Sequence, residues 1–323
     1  MDQNAPSGRL RINSFKGLQN LPLYVAMREG YFAARGLAID LTFTTGSAAQ
    51  LTGLARGDYD LIQTAPDNVI NFATQPAKFG VDPATAPEIA MVLGGSVGPL
   101  SVYARPGVTG IKDLRGMVLG VDNPTSGFAL VLRNLLQRQG LTLDRDYSFS
   151  VAGATHARCD ALLAGAIAAT ILYAPFDLRA AEHGCIQFAS SSSAYPAYAS
   201  GSTAGVRQWM SAHPEMVTQY IAAILQALRW LYEPMHAEAA QALMRSEPSL
   251  GVPPDLVARV YDSFVAPTAG YGVDAASLDE DGLRQVIALR QAYGPADIRL
   301  GQPEDYCDSR WYRAARDSLP TNL

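Results

Sequence analysis

The sequence predicts an α/β architecture built on mostly parallel sheets, and three observations carry that prediction. Short β-type runs alternate with longer helical ones, the pattern of strands joined by crossover helices. Gly and Pro punctuate the junctions. The chain has 323 residues, 48% of them apolar and 17% charged; at roughly 100 to 200 residues per domain this predicts two domains with sizeable cores.

Residues 9–15 read as the first strand and 21–34 as a helix, with Pro22 in its first turn and Gly36 at its end. Residues 37–43 are the next strand. Gly46 and Ser47 then open a helix that closes near Arg56-Gly57, with Ser47 suited to cap it. A short strand follows at 60–63, a helix starts near Asp67, and 88–94 make a fourth strand. A second set begins with the strand 100–104 and a helical turn at 111–115. The strand 117–121 runs into Asn123-Pro124-Thr125-Ser126-Gly127 and the helix 128–139, which Gly140 stops. Residues 147–151 are a strand, Thr155 caps the helix 156–163, and 167–173 form a strand leading into Pro175-Phe176-Asp177 and a further helix. The strand 185–189 closes this set, and 197–202 is a passage back to the first.

From there on the pattern is helical. After Pro214 the apolar residues Val217, Tyr220, Ile221, Ile224, Leu225, Leu228 and Leu231 recur at helical spacing. Further helices are expected at 234–245, 254–264, 275–293 and 306–318.

Composition excludes several classes. Lys and Arg number 25 against 30 Asp and Glu, a net charge of −5, and no basic block could track nucleic-acid phosphates. The most apolar stretch, 164–174, is far shorter than the roughly 20 residues of a membrane-spanning helix. The first residues lack the charged and apolar regions of a secretory leader, so the protein is either cytoplasmic or has lost its leader. Cys159, Cys185 and Cys307 fit no metal-ligand spacing. A Cys159–Cys185 disulfide is conceivable, with buried free thiols the favoured state. Neither G-x-x-x-x-G-K-[ST] nor a strand-coupled G-x-G-x-x-G is present, and no cofactor or metal is expected.

Several segments together resemble the NMT1/THI5-like substrate-binding proteins of ABC importers, a group that includes sulfonate, taurine, nitrate and thiamine-precursor binders. They are Leu21-Pro22-Leu23-Tyr24-Val25-Ala26 with Glu29-Gly30-Tyr31-Phe32, then Leu54-Ala55-Arg56-Gly57-Asp58-Tyr59-Asp60, then Ile111-Lys112-Asp113-Leu114-Arg115-Gly116. Ser126-Gly127-Phe128 and Ala161-Leu162-Leu163-Ala164-Gly165 with Tyr173-Ala174-Pro175-Phe176 complete the series. The resemblance implies a two-lobed type II periplasmic-binding-protein fold: each lobe a mixed, mostly parallel sheet flanked by helices, and two crossover strands between them. Lobe I would comprise 9–98 and 198–323, and lobe II 99–197. The hinge would lie near 96–100 and 194–199, with a ligand in the interlobe cleft.

Strand ends and helix N-termini make that cleft attractive to ligands on physical grounds. Phe15 and Lys16 end the first strand, and Lys16 is either a cation for a ligand anion or a solvated loop side chain. Gly46 and Ser47 begin a helix aimed at the ligand or form a plain cap. Thr64, Asp67 and Asn68 follow the third strand, where Asp67 either bonds a ligand or caps the next helix. Asn123, Thr125, Ser126, Gly127 and Phe128 form the matching entrance in the second lobe, and two opposed helix N-termini favour an anion between them. His156 is a ligand donor or a surface residue. Tyr173, Phe176 and Asp177 end the last strand of the second lobe, where an aromatic ring would close over a planar ligand or pack between lobes.

The resemblance implies a non-catalytic, monomeric receptor outside the cytoplasm that delivers a small organic molecule to a membrane permease. An anion such as an aromatic carboxylate or sulfonate is the expected ligand; Asp67 and Asp177 leave an amine or a pyrimidine open. The alternative is a cytoplasmic decarboxylase- or desulfinase-like enzyme on the same scaffold, against which stands the lack of a nucleophile and base pair. A ligand-sensing regulator would need a basic recognition helix, which neither end supplies.

Overall fold

The computed structural model describes residues 8–266 and 276–320. Its ten strands form two five-stranded sheets of the same design. In the first, β1 (Gly8–Ser14) lies parallel to β2 (Leu37–Phe43) and β3 (Leu61–Thr64). The returning strand β10 (Gly201–Val206) inserts antiparallel between β3 and β4 (Ile89–Gly95). In the second, β6 (Met117–Val121) is parallel to β7 (Tyr147–Val151) and β8 (Ala169–Leu172), and β5 (Ser101–Ala104) inserts antiparallel between β8 and β9 (Ile186–Ser190). The inserted strand of each sheet therefore arrives directly from the other sheet. This gives two α/β lobes with mixed sheets, joined by the β4–β5 and β9–β10 crossovers.

The first sheet is covered on both faces. On one, the helix Pro214–Tyr232 packs Val217, Tyr220, Ile221, Ile224, Leu225, Leu228 and Leu231 into a core with Leu10 and Ile12 of β1. Each such side chain contributes roughly 1.5–3 kcal/mol. On the other, Leu51, Ile62, Val69, Met91, Leu283 and Val286 form a second core. The lobe II core gathers Val102, Leu119, Leu132, Leu136, Leu162 and Ile171.

Several local expectations are corrected. The helix foreseen over 21–34 ends at Arg28, because Gly30 turns left-handed at φ 74° and Tyr31 N–H folds back to Ala26 C=O. Ser47 is the first residue of its helix (Ser47–Arg56) and makes no capping bond. Ala154, not Thr155, holds the capping position of the helix Thr155–Leu163, and Ala65, not Asp67, that of the helix Pro66–Thr74. The strand-like passage 197–202 pairs only from Gly201. The helix expected from 275 runs from Glu280 to Tyr293; residue 275 itself lies outside the described residues. All three cysteines are free thiols. Among the described residues no helix is long and apolar enough to cross a membrane.

Candidate functional site

A cavity of about 120 Å³ lies where the two lobes meet, walled by the ends of β1, β3, β4, β6 and β8 and the start of β10. That volume is far above the roughly 10–15 Å³ needed to hold a single water and leaves room for a small organic molecule. Lobe I contributes Phe15, Thr64, Asn68 and the turn from Leu93 to Val97; lobe II contributes Asp122, Ser126, Gly127, Phe128, Arg158 and Tyr173. A second cavity of about 220 Å³ lies beside the crossovers, between Pro66, Tyr195, Tyr198 and Leu283. The first is the candidate site, because the carboxyl ends of parallel strands from both lobes and two helix entrances converge only on it.

Most of its wall is carbon. Tyr173 is buried, edge-on to Phe128 at 5.9 Å and to Phe176 at 6.1 Å. Burial raises the Tyr173 hydroxyl above the usual tyrosine range. On the opposite side, the Phe15 carbonyl accepts from Gln19 Nε2 (2.8 Å) and Asn20 Nδ2 (2.7 Å), which fixes the turn carrying the Phe15 ring. Asn68 Nδ2 donates to Thr64 Oγ1 (3.0 Å), locking the two polar groups after β3 together.

The charged part of the wall is Arg158 with Asp122. Arg158 is 1% exposed, and its guanidinium donates to Thr170 Oγ1, Gly153 C=O, Thr155 Oγ1 and Ile171 C=O at 3.0–3.2 Å. Of its five N–H groups these bonds occupy four, so one Nη1 hydrogen remains uncommitted among the described residues. Asp122 Oδ1 lies 3.9 Å from Nη1. Asp122 also accepts from Ser126 Oγ (2.6 Å) and, across the lobes, from Ser47 Oγ (3.2 Å). Ser126 in turn accepts from Ala129 N–H and caps the helix Gly127–Arg138.

Seven of the sequence-selected residues stand in the wall: Phe15, Thr64, Asn68, Ser126, Gly127, Phe128 and Tyr173. The others lie outside it. Lys16 is exposed in the loop beyond Phe15. Gly46 precedes Ser47, whose hydroxyl is spent on Asp122. Asn123 Oδ1 accepts from Thr125 N–H and Oγ1 in a closed turn. Phe176 is buried in the lobe II core. Asp177 Oδ1 accepts from the Leu178 N–H, and burial pushes its carboxyl up to about 6. His156 has a buried Nδ1 with no hydrogen bond among the described residues; burial, Lys16 and Arg158 lower its pKa, while Asp160 opposes them.

Asp67 differs most from both of its expected roles. It is 1% exposed and gripped by Arg290, Nε to Oδ1 and Nη2 to Oδ2 at 2.5 Å each. It also lies against Gly127 at the lobe II helix entrance, whose N–H helps to hold its charge. Burial pushes its carboxyl up, against the opposing pull of Arg290 and that N–H. One of the helix N-termini expected to receive a ligand anion is thus occupied by the protein's own carboxylate.

The residues that sequence reasoning passed over are Asp122, Arg158 and Arg290. Asp122 follows β6 as Phe15 follows β1, so the strand-end argument reaches it. Arg158 lies one turn beyond Ala154 on the face that the entrance exposes. Arg290 lies 223 positions from Asp67 and has no local signal. The Cys159 thiol is driven up to about 11 by burial, which suppresses the thiolate a nucleophile requires. Among the described residues, no group of three or more His, Cys, Asp and Glu is placed to hold a metal ion.

Comparison with solved structures returns the same architecture. A protein of Bordetella bronchiseptica RB50 superposes with a TM-score of 0.78 at 19% identity, over 98% of this chain and 99% of that one. The periplasmic nitrate-binding protein NrtA of Synechocystis PCC 6803 gives 0.78 at 12% identity, over 99% and 91%. The alkanesulfonate-binding protein SsuA of Xanthomonas axonopodis pv. citri, bound to MOPS, gives 0.67 at 19% identity, over 89% and 91%. Among curated proteins, the bicarbonate transport ATP-binding protein CmpC of Synechocystis is 26% identical over 250 residues, 73% of this chain. The chain spans only 37% of that relative's length. The fold is that of the periplasmic binding proteins. The sequence profile of the NMT1-like family matches residues 3–245, about three quarters of the chain, and the protein belongs to that family.

Proposed function

We propose that this protein is the solute-capturing component of an ABC import system: it closes around a small organic molecule and presents the closed form to a membrane permease. The observation that carries the reading is the interlobe cavity, whose wall neither lobe completes alone. Opening the lobes exposes it and closing them buries a guest, which is the chemistry of capture and release. The buried, high-pKa thiol of Cys159 suits binding without covalent chemistry. The names of the relatives, nitrate-binding, alkanesulfonate-binding and bicarbonate transport, support the same assignment. Capture would take place outside the cytoplasm, by a monomer.

The wall favours a compact molecule with a planar apolar body and a small anionic head, such as an aromatic carboxylate or sulfonate. Phe15, Phe128 and Tyr173 flank the body. The head meets the uncommitted Nη1 hydrogen of Arg158 and the first turn of the helix Thr155–Leu163. Asp122 offsets much of the Arg158 charge, so the apolar body supplies a large share of the affinity and a bare inorganic anion binds less well. Thermal unfolding with benzoate, benzenesulfonate, nitrate, bicarbonate and a pyrimidine tests this. Saturable stabilisation by the aromatic anions is expected; stabilisation by the pyrimidine alone overturns the ligand class, and none by any compound overturns the receptor reading.

A further inference from the structure

We infer that Asp67 and Arg290 form an interlobe lock that sets the closed fraction of the protein, and through it the affinity of a cavity neither residue touches. This rests on the receptor reading above for its effect on binding, but its geometry stands alone. The pair meets lobe II through one packing contact and one hydrogen bond. The Asp67 side chain lies against the Gly127 backbone, and Arg290 Nη2 donates to Thr125 C=O at 2.7 Å. These two peptide groups belong to the entrance that carries Ser126, Gly127 and Phe128 into the cavity wall. Asp67 and Arg290 are therefore positioning residues, acting on the ligand through the placement of that wall.

The helix that carries Arg290, Glu280–Tyr293, spans both lobes. Leu283 and Val286 pack in the lobe I core and Leu289 in the lobe II core. At its end the Tyr293 hydroxyl accepts from Asn134 Nδ2 (2.8 Å) and donates to Gln137 Oε1 (2.7 Å), while the Arg133 guanidinium lies 4.6 Å from the Tyr293 ring centre. Asn134, Gln137 and Arg133 lie on the helix that Gly127 begins. One helix seated on lobe I thus holds the lobe II entrance at its first turn and again two to three turns later. Separating the lobes at this edge breaks both grips. Because a site that forms only in the closed state binds in proportion to that state's population, weakening the lock weakens the ligand.

The test compares the intact chain with the double variant Asp67→Asn/Arg290→Gln, which removes the charges together, and with Tyr293→Phe, which leaves the buried pair in place should the double variant fail to fold. Without ligand, both variants are expected to give a larger radius of gyration in solution scattering. Amide exchange across residues 123–130 should be at least tenfold faster in the double variant and several-fold faster in Tyr293→Phe. Benzenesulfonate should bind the double variant at least tenfold more weakly than the unaltered protein. Scattering and exchange indistinguishable from the unaltered protein in the variants that fold overturn the lock. Failure of benzenesulfonate and the other probes to bind the unaltered protein overturns the receptor reading instead, and the two ligand-free measurements still decide the lock.

Discussion

Replacing Gly127 by Ala puts one methyl group into the seam between the lobes. A Cβ at this position would lie 2.5 Å from Asp67 Cβ, 2.7 Å from its Cγ and 2.9 Å from its Oδ2, where ordinary contact begins near 3.4 Å. Arg290 pins Asp67 on the far side, so the seam must open by 3.4 − 2.5 = 0.9 Å. Added to the 2.7 Å bond from Arg290 Nη2 to Thr125 C=O, this gives about 3.6 Å, beyond hydrogen-bonding distance. A hydrogen bond to a charged group contributes about 1.5–3 kcal/mol, and about 1.4 kcal/mol is a factor of ten in affinity. Titration calorimetry with the tightest-binding probe should therefore show affinity reduced by about 10- to 150-fold. Because Gly127 is the first residue of its helix, Ala also favours the helix by up to about 1 kcal/mol. Lobe II should consequently unfold no earlier in heat than before. Unaltered affinity would refute the close approach of Asp67 to Gly127, and early unfolding would refute the separation of lobe stability from lobe closure.

Three other outcomes are expected. Asp177, raised to about 6 in the fold, binds its proton more readily folded than unfolded, so stability falls as pH rises from about 4 to 6. Asp177→Asn should remove that fall and add up to about 3 kcal/mol at pH 7.5, read by urea unfolding; an unaltered pH profile refutes the burial of the charge. His156 is displaced in the other direction: the unfolded chain takes up the proton first as pH falls below about 6.5, so this residue's contribution is lost on acidification. His156→Gln should flatten stability as pH falls below about 6.5, and a slope equal to that of the unaltered protein counts against it. Ser126→Ala deletes both the helix cap and the 2.6 Å bond to Asp122 and should cost about 2 kcal/mol, measured by the same unfolding; a loss under about 0.5 kcal/mol contradicts the cap.

How far the sequence speaks depends on the range of the interaction. Strands β2, β6 and β7 were legible to the residue, because apolar runs between Gly and Pro are local signals. The helix Pro214–Tyr232 was equally clear, since all seven of its periodic apolar residues are buried. The early stop at Arg28 was obscured because the sequence keeps helix-compatible residues on either side of Gly30. In the candidate site, strand-end reasoning reached Phe15, Thr64 and Tyr173 and equally covers Asp122. It assigned Asp67 to a cap or a ligand because Asp favours both, and only the return of the chain at Arg290 decides otherwise. Lys16 drew attention because it ends the first strand, but a place at a strand end does not fix which way the side chain points, and Lys16 is exposed.

Native mass spectrometry of the protein incubated with benzoate or benzenesulfonate, followed by chemical identification of whatever the denatured protein releases, bears on the capture account most directly. A single intact molecule of the added compound per chain is the predicted result. Release of a converted compound, or the absence of any one-to-one complex with either compound at saturating concentration, would contradict it.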